Sequence, residues 1–221
     1  MSAAAPTPRE NQGQPTPRID GRLKVTGGAR YAADFPLNNL AHAVLVTSDI
    51  ARGKVTVLGL DKAWAVPGVL DIVSYGDVDG IRRPTHSNTS ATSLAPLHDK
   101  TIAHDGQIMA LVVADTVEAA EEAADLVVAQ YAAEPPSASL RSAGTQTVPA
   151  AGVSEMYPQD PQAGDIDGAL ASSPVTLQAD YWTAPQTHNP IELFSTTCVW
   201  SDDQLTLYEP TQNVHGFKVE I

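Results

Sequence analysis

The chain has 221 residues, is 43% hydrophobic and 18% charged, and carries a formal charge of −13 at pH 7. This length can bury one large core or two small ones, and the acidity argues against sequence-independent nucleic-acid binding because few cations could replace the counterions of phosphates. Its one cysteine, Cys198, excludes an intrachain disulfide and a cysteine-rich metal cluster built from this chain alone.

The first 17 residues, MSAAAPTPRENQGQPTP, are predicted to form a flexible, proline-rich lead-in. They lack the apolar core of a secretory signal. No apolar run elsewhere approaches the roughly 20 residues that a membrane-spanning helix needs. We therefore expect neither a signal peptide nor a transmembrane segment in this sequence.

The next part of the chain is predicted to alternate short elements. Residues 40–48 (LAHAVLVTS) form an apolar, β-prone run typical of a buried strand. Asp61 is expected to cap a short helix that ends at Pro67-Gly68, and residues 69–74 form a second strand. Residues 79–100 have no periodicity, which predicts a long surface loop.

The clearest predicted unit is a strand, a helix and a strand over residues 108–114, 115–125 and 126–131. The two outer segments are apolar runs of strand length. Asp115 followed by Glu118 has the spacing of a helix N-cap with a reciprocal carboxylate. The result is a β–α–β unit, which is right-handed if its two strands are parallel.

The remaining chain follows a Pro/Ser/Ala-rich linker over residues 134–151. Asp165 is predicted to cap a short helix. Residues 175–182 (VTLQADYW) alternate apolar and mostly polar side chains, which predicts a half-buried strand. Residues 193–200 and 204–209 are predicted to pair as a hairpin.

Three features that might suggest chemistry are interpreted as structural. The run over residues 21–28 does not have the Gly-Lys-Ser/Thr order of a phosphate loop, so Gly27-Gly28 is interpreted as a tight turn. Cys198 is interpreted as a buried small hydrophobe in a strand. The histidines show neither HExxH nor i, i+4 helical spacing, so none is assigned as a metal ligand. They are His42, His86, His98, His104, His188 and His215.

The run QTHNPIE, residues 186–192, places an amide, an imidazole and a carboxylate within seven residues. On composition alone, the favoured interpretation is a polar corner in which Pro190 forces an extended turn. A catalytic constellation and a metal site are the alternatives.

A set of short segments occurs in a fixed order along the chain. They are RIDG at 18–21, KVTG at 24–27, YAAD at 31–34, PGV at 67–69, GQ at 106–107, ALVVA at 110–114, GDID at 164–167, QTHNPIE at 186–192 and TQN at 211–213. Together they resemble the molybdenum-binding large subunit of the xanthine dehydrogenase and aldehyde oxidase family. Their compact spacing looks most like the bacterial three-subunit aldehyde dehydrogenases of the periplasmic type.

The resemblance implies an α+β fold. It assigns residues 1–17 to the lead-in, 18–134 to an α/β hammerhead domain, 135–163 to a linker, and 164–221 to the start of a molybdenum-cofactor-binding domain that is incomplete here. Family members of this subunit run several times longer, and they supply a GGGFG segment, an arginine and a catalytic glutamate base after the region that this sequence covers.

The resemblance also implies a molybdenum hydroxylase that acts on aldehydes or N-heterocycles with oxygen from water. Its cofactor is molybdopterin, in the cytosine dinucleotide form common in bacteria. The implied partners are an iron–sulfur subunit, an FAD subunit or a cytochrome-type acceptor, and the remainder of the molybdenum subunit. The expected compartment is the cytoplasm, or the periplasm if the chain is exported with a partner subunit.

One residue, Gln186, matches an active-site position of the family, as the glutamine of the Q-x-H-x-x-x-E motif. The resemblance implies that its side-chain amide hydrogen-bonds an oxygen ligand of the molybdenum, so Gln186 is the candidate catalytic and cofactor-binding residue. His188 and Glu192 are assigned to holding this corner rigid. No residue is assigned as a direct metal ligand.

Two other functions stay open on the sequence. A non-catalytic hammerhead module could serve as an assembly scaffold, and a small hydrolase could use His188 and Glu192. Cofactor extraction separates both from a molybdenum hydroxylase, since only the hydroxylase yields a fluorescent pterin. A hydrolase would turn over esters without a redox acceptor.

We predict that the 221-residue chain alone binds neither the molybdenum cofactor nor FAD tightly. In the family, the cofactor lies among segments from both halves of the complete subunit, and most of these segments are absent from this sequence. Elemental analysis of the purified chain should therefore find molybdenum far below stoichiometry. A stoichiometric amount would contradict the prediction.

Overall fold

The computed structural model describes residues 15, 17–79, 96–146, 163–190 and 192–220. Contacts divide the chain into two compact units. The central unit is Asn38–Trp182, and the terminal unit joins the described residues of Met1–Leu37 to those of Thr183–Ile221. The domain bounds given by the sequence analysis stay a prediction. No helix within the described residues is both long and apolar enough to cross a membrane.

Short helices and strands alternate along the described chain, with a single 3₁₀ turn at Ala32–Asp34 among the described elements. In chain order they are α1 (Gly21–Val25), β1 (His42–Thr47), β2 (Gly53–Gly59), α2 (Asp61–Trp64), β3 (Val69–Val73), β4 (Thr101–Ile102), β5 (Ile108–Ala114), α3 (Val117–Asp125), β6 (Val128–Ala133), α4 (Ile166–Ser172), β7 (Thr197–Ser201), β8 (Gln204–Tyr208) and α5 (Val214–Glu220).

The central unit is built on two antiparallel three-stranded sheets, in the orders β1-β5-β3 and β4-β2-β6. Strand β5 is the middle of the first sheet, and each of its residues is buried or half-buried. A strand covered on both faces needs apolar side chains throughout, which explains the unbroken run IMALVVA. Helices combined with antiparallel sheets confirm the predicted α+β class.

Helix α3 packs on β1 and β5 through small side chains. Ala120 and Ala123 lie three positions apart, so they share one helix face, and both are fully buried. Ala123 belongs to the same apolar cluster as Ala110 and Val112 of β5. Because alanines line both sides, the helix approaches the sheet closely, and a larger side chain here would overpack the core.

The helix cap predicted at Asp115 is wrong. Helix α3 begins at Val117, and its N-cap is Thr116, whose hydroxyl oxygen accepts a hydrogen bond from the Ala119 N–H at 3.2 Å. The Asp115 N–H instead donates to the Gly68 carbonyl at 2.9 Å, which continues the pairing of β5 with β3. The sheet therefore holds Asp115 and moves the start of the helix by two residues.

The predicted strand, helix and strand exist, but they do not form a parallel β–α–β crossover. Strand β5 lies in one sheet, whereas β6 lies at the edge of the other and pairs antiparallel with β2. The physical reason is that β1 and β3 already occupy both edges of β5. The strand after α3 therefore cannot pair with β5, and it pairs with β2 in the second sheet.

Two further element predictions differ from the structure. Asp61 is the first residue of α2 and not its cap, which is Leu60. Residues 175–182, predicted as a half-buried strand, are irregular and exposed. Alternating side chains produce a strand only where a neighbour supplies hydrogen bonds, and no described strand pairs with this segment.

The predicted strands at 40–48 and 69–74 are confirmed as β1 and β3. The predicted cap of α4 is also confirmed, since the Asp165 carboxylate accepts from the Gly168 N–H at 2.9 Å. Most of the predicted loop at 79–100 and the end of the predicted linker at 134–151 lie outside the described residues.

A second apolar cluster includes two tyrosine hydroxyls in different surroundings. Val55, Ile102 and Met109 are its buried members, and Tyr75 and Tyr131 pack against them. The Tyr131 hydroxyl donates to the Met109 sulfur at 3.5 Å, whereas the buried Tyr75 hydroxyl has no hydrogen-bond partner among the described residues. Burial, followed by the nearby Tyr131 and Asp99, raises the pKa of Tyr75 to about 12.

We predict that Thr116→Ala destabilises the central unit by about 1 kcal/mol, because the Ala119 N–H loses its capping acceptor. Thr116 is exposed, so little packing is lost with its side chain. Thr116→Ser keeps the hydroxyl and should behave nearly as wild type. Urea unfolding of the three proteins measures the difference. If the wild type and Thr116→Ala had equal free energies of unfolding, the Thr116 hydroxyl would not stabilise α3 as its cap.

We predict that Tyr75 contributes to alkaline unfolding. Its folded pKa of about 12 exceeds the ordinary value of 10.0, so its stabilising effect is complete below pH 10 and is lost as pH rises to about 12. Tyr75→Phe should therefore weaken the fall in unfolding free energy across this range. Tyr181→Phe is the control, because Tyr181 is 88% exposed. It should leave the fall in unfolding free energy between pH 10 and about 12 unchanged. Identical pH profiles for Tyr75→Phe and wild type would contradict this.

Candidate functional site

The terminal unit contains the QTHNPIE run and the segments that contact it. Its most regular part is the antiparallel pair β7–β8, in which Thr197 faces Tyr208 and Ser201 faces Gln204. The two-residue turn between them places Asp202 at φ 52°, a left-handed conformation that Asp tolerates. The predicted hairpin is confirmed, although β7 begins at Thr197 and residues 193–196 form no strand.

A compact turn over residues 31–35 lies beside this hairpin. The Tyr31 N–H donates to the Asp34 carboxylate at 2.9 Å, which closes the 3₁₀ turn. Phe35 then stacks on Tyr208 of β8, with ring centroids 3.9 Å apart and 23° between the ring planes. Ala32, inside the turn, is 5% exposed. Hydrogen bonding and stacking thus fix this turn against β8.

The QTHNPIE run has an irregular backbone. Gln186, His188, Asn189 and Pro190 are exposed, and Ile191 lies outside the described residues. Asn189 has φ 40°, so the chain bends there through a conformation that Asn adopts more readily than most residues. The corner interpretation from the sequence agrees with this backbone.

Glu192 connects the run to the compact turn. It is half-buried, and its Oε1 accepts a hydrogen bond from the Ala32 N–H at 3.2 Å. The two residues are 160 positions apart in the sequence. No local signal in the sequence could have paired Glu192 with the backbone of Ala32.

A cavity of about 370 Å³ lies between the turn, Glu192 and the end of β8. Its lining residues are Arg30, Tyr31, Ala32, Phe35, Glu192, Tyr208 and Glu209. One of its carboxylates, Glu209, accepts a hydrogen bond from the Thr196 hydroxyl. Glu192 is the residue of the run that lines this cavity, whereas Gln186 and His188 are not in its lining.

The hydrolase alternative is not supported by this geometry. A general base must lie within hydrogen-bond reach of the group that it activates or orients. Among the described residues, His188 makes no hydrogen bond, and the Glu192 carboxylate is engaged by Ala32. The same residues contain no group of three His, Cys, Asp or Glu side chains able to hold a metal ion.

The Gln186 side chain is exposed and forms no hydrogen bond within the described part of the chain. Its amide therefore has two N–H donors and one carbonyl acceptor available to a ligand. An uncharged donor of this kind suits an oxygen ligand of a metal cofactor, so the side chain fits the group that the sequence resemblance implies.

The interpretation of Cys198 as buried is wrong, since its side chain is exposed. In β7, Thr197 is buried and Val199 is half-buried, whereas Cys198 and the 70% exposed Trp200 point to the other face. The alternation of side chains along a strand shows which residues share a face with Cys198, but it does not show which face is buried. In the described structure, the opposite face is the one that is covered.

Glycine and asparagine mark two helix ends in the terminal unit. Gly27 has φ 69°, and the Gly28 N–H donates to the Leu23 carbonyl at 2.8 Å, so the predicted tight turn is confirmed as the C-terminal end of α1. Helix α5 was not predicted. Its signal is Asn213, whose side chain accepts from the Gly216 N–H at 2.9 Å.

Two parts of the chain each match a known protein domain. Residues 26–135 match the aldehyde oxidase and xanthine dehydrogenase a/b hammerhead domain, and residues 151–221 match the molybdopterin cofactor-binding domain. The second match contains Gln186 and Glu192. The two domains occur in the predicted order.

Two relatives from Escherichia coli (strain K12) illustrate the similarity. The aldehyde oxidoreductase molybdenum-binding subunit PaoC is 35% identical over 211 residues, which is 95% of this chain and 28% of that protein. The putative xanthine dehydrogenase molybdenum-binding subunit XdhA is 28% identical over 212 residues, which is 90% of this chain and 28% of that protein. The chain thus spans 28% of the length of these two relatives.

The fold is similar to that of a solved structure, the aldehyde oxidoreductase from Desulfovibrio gigas. The TM-score is 0.63 at 22% identity, over 86% of this chain and 23% of that one. Together, the two domain matches and the relatives confirm the resemblance, and the chain belongs to the aldehyde oxidase and xanthine dehydrogenase family, as the N-terminal part of its molybdenum-binding subunit.

Proposed function

We propose that this chain is part of a molybdenum-dependent oxidoreductase that hydroxylates aldehydes or N-heterocycles with oxygen from water. The observation that carries the proposal is the match of residues 151–221 to a molybdopterin cofactor-binding domain. The substrate classes follow from relatives named as aldehyde oxidoreductase and xanthine dehydrogenase subunits.

The chain's own contribution is to help bind and orient the cofactor. Gln186 would hold an oxygen ligand of the molybdenum through its side-chain amide, which is exposed and unpaired among the described residues. When bound, the cofactor supplies the two-electron oxidation of the substrate. The amide carries no charge, so it can donate a hydrogen bond without changing the net charge of the site.

The finer assignments extend the same proposal. We assign residues 18–134 to the hammerhead domain and residues 164–221 to the cofactor-binding domain. The match at 26–135 supports the first assignment, and the match at 151–221 contains the second range. The proposed cofactor form is the cytosine dinucleotide. The proposed partners are an iron–sulfur subunit, an FAD subunit or a cytochrome-type acceptor, and the remainder of the molybdenum subunit, which supplies the catalytic base.

The scaffold alternative explains less of the chain. A non-catalytic hammerhead module would account for the match over residues 26–135. It gives no reason for a molybdopterin-binding domain to follow in the same chain. We therefore favour the enzyme.

We predict that Gln186→Ala lowers kcat in the complete assembly by about tenfold while molybdenum content stays nearly unchanged. Loss of a preorganised donor in other enzymes costs roughly 10²–10³ in turnover. A smaller effect is expected here, because the metal supplies most of the stabilisation and the catalytic base is untouched. The measurement is steady-state kinetics normalised to bound molybdenum.

Gln178→Ala is the matched control, because Gln178 is a second exposed glutamine in irregular backbone, eight positions before Gln186. This variant should retain wild-type turnover. If Gln186→Ala itself kept wild-type turnover, Gln186 would have no role in catalysis, and the QTHNPIE run would be only a structural corner.

A further inference from the structure

A cavity of about 550 Å³ opens beside β1 in the central unit. Four consecutive residues of the strand, 44–47, line this cavity. Because consecutive side chains of a strand point to opposite faces, a cavity that touches all four borders the edge of the strand. Among the described strands, β1 pairs with β5 alone, so this edge is free. A free edge presents backbone N–H and C=O groups that can pair with another strand.

The other walls of the cavity combine apolar and acidic side chains. Ala124 and Val127 are half-buried and apolar, whereas three exposed lining residues are carboxylates, Asp49, Glu121 and Asp125. Among the described residues, no lysine, arginine or histidine lines the cavity. None of the ion pairs within the described chain involves these carboxylates. The cavity therefore carries a negative charge that no described cation offsets.

Two of the carboxylates occupy unfavourable positions in α3. Glu121 and Asp125 are four residues apart, so they share one helix face and repel each other. Asp125 is the last residue of the helix, and the last turn contains no basic residue. The C-terminal end of a helix already carries a partial negative charge. A cation in the cavity would offset both effects.

The third carboxylate lies on another wall of the cavity. Asp49 follows the end of β1 by two residues. Burial, followed by the nearby Asp49 carboxylate, raises the pKa of Tyr131, which also lines the cavity. Negative charge thus enters the cavity from α3 and from the chain after β1. A cationic side chain placed between them would meet carboxylates on two sides.

We infer that the free edge of β1 binds an extended basic segment of a partner polypeptide, which adds a strand to the first sheet and places lysine or arginine side chains in the cavity. Backbone hydrogen bonds with β1 supply the pairing, and alternate side chains supply the specificity. This inference goes beyond the proposed function, since it depends neither on the cofactor nor on Gln186.

The alternation of β1 predicts the sequence pattern of the partner segment. On one face of the strand, Val44 and Val46 are half-buried; on the other, Leu45 is 51% exposed. Alternate partner side chains enter the cavity, where apolar stems contact Ala124 and Val127 and charged ends reach the carboxylates. The remaining side chains lie on the face of Leu45 and are apolar. The segment therefore alternates basic and apolar residues.

The test measures the binding of the capped peptide acetyl-KVKVKVK-amide to the 221-residue chain by isothermal titration calorimetry. Binding should slow amide hydrogen exchange in β1 and leave exchange unchanged in β3, which is the other edge of the same sheet. The control peptide acetyl-KKVVVKK-amide has the same composition without the alternation, and it should bind more weakly. This control is needed because a chain of charge −13 attracts any cationic peptide.

Two double variants separate the cavity from the rest of the acidic surface. Glu121→Gln combined with Asp125→Asn should raise the Kd for acetyl-KVKVKVK-amide roughly three- to tenfold, as expected for the loss of two exposed ion pairs. Glu118→Gln combined with Glu122→Gln is the matched control. These two residues are also exposed and four apart on α3, but they do not line the cavity. The control variant should keep the wild-type Kd.

Several results would overturn the inference. They are equal affinity for the two peptides, equal loss of affinity in the two double variants, and slower exchange in β3 without slower exchange in β1. A dimer of the free chain that protects β1 and excludes the peptide would identify a second copy as the occupant, and would also overturn it. None of these measurements depends on turnover, so they leave the proposed function untouched.

Discussion

Strand β5 constrains the central unit because it has no free edge and no free face. Its neighbours β1 and β3 take its backbone hydrogen bonds, and each of its side chains is at least half-buried. Once both edges are occupied, the strand that follows α3 cannot pair beside it and joins the second sheet. The apolar sequence of β5 and the alanine face of α3 that packs on it both follow from this position.

In the terminal unit, the Glu192 carboxylate joins the irregular, exposed QTHNPIE run to the backbone N–H of Ala32, 160 positions away in the sequence. Phe35 of the turn that contains Ala32 stacks on Tyr208, so the hydrogen-bond donor belongs to a turn packed against β8.

The chain that is assigned to this family spans 28% of the length of two relatives from E. coli. What this part offers to the proposed reaction is binding and orientation. An amide donor at Gln186 suits that role because it adds a hydrogen bond and no charge. The base and most of the substrate pocket are proposed to come from the remainder of the subunit.

The sequence by itself determined several of the local elements and the family. Apolar runs located β1, β3 and β5, Asp165 located a helix start, and the ordered short motifs identified the two domains in their order along the chain. Tertiary structure decided which strands pair and which faces are covered. It separated β5 from β6, left Cys198 exposed, and joined Glu192 to Ala32. Periodicity reports how side chains alternate along one segment, whereas pairing and burial depend on partners that are distant in the chain.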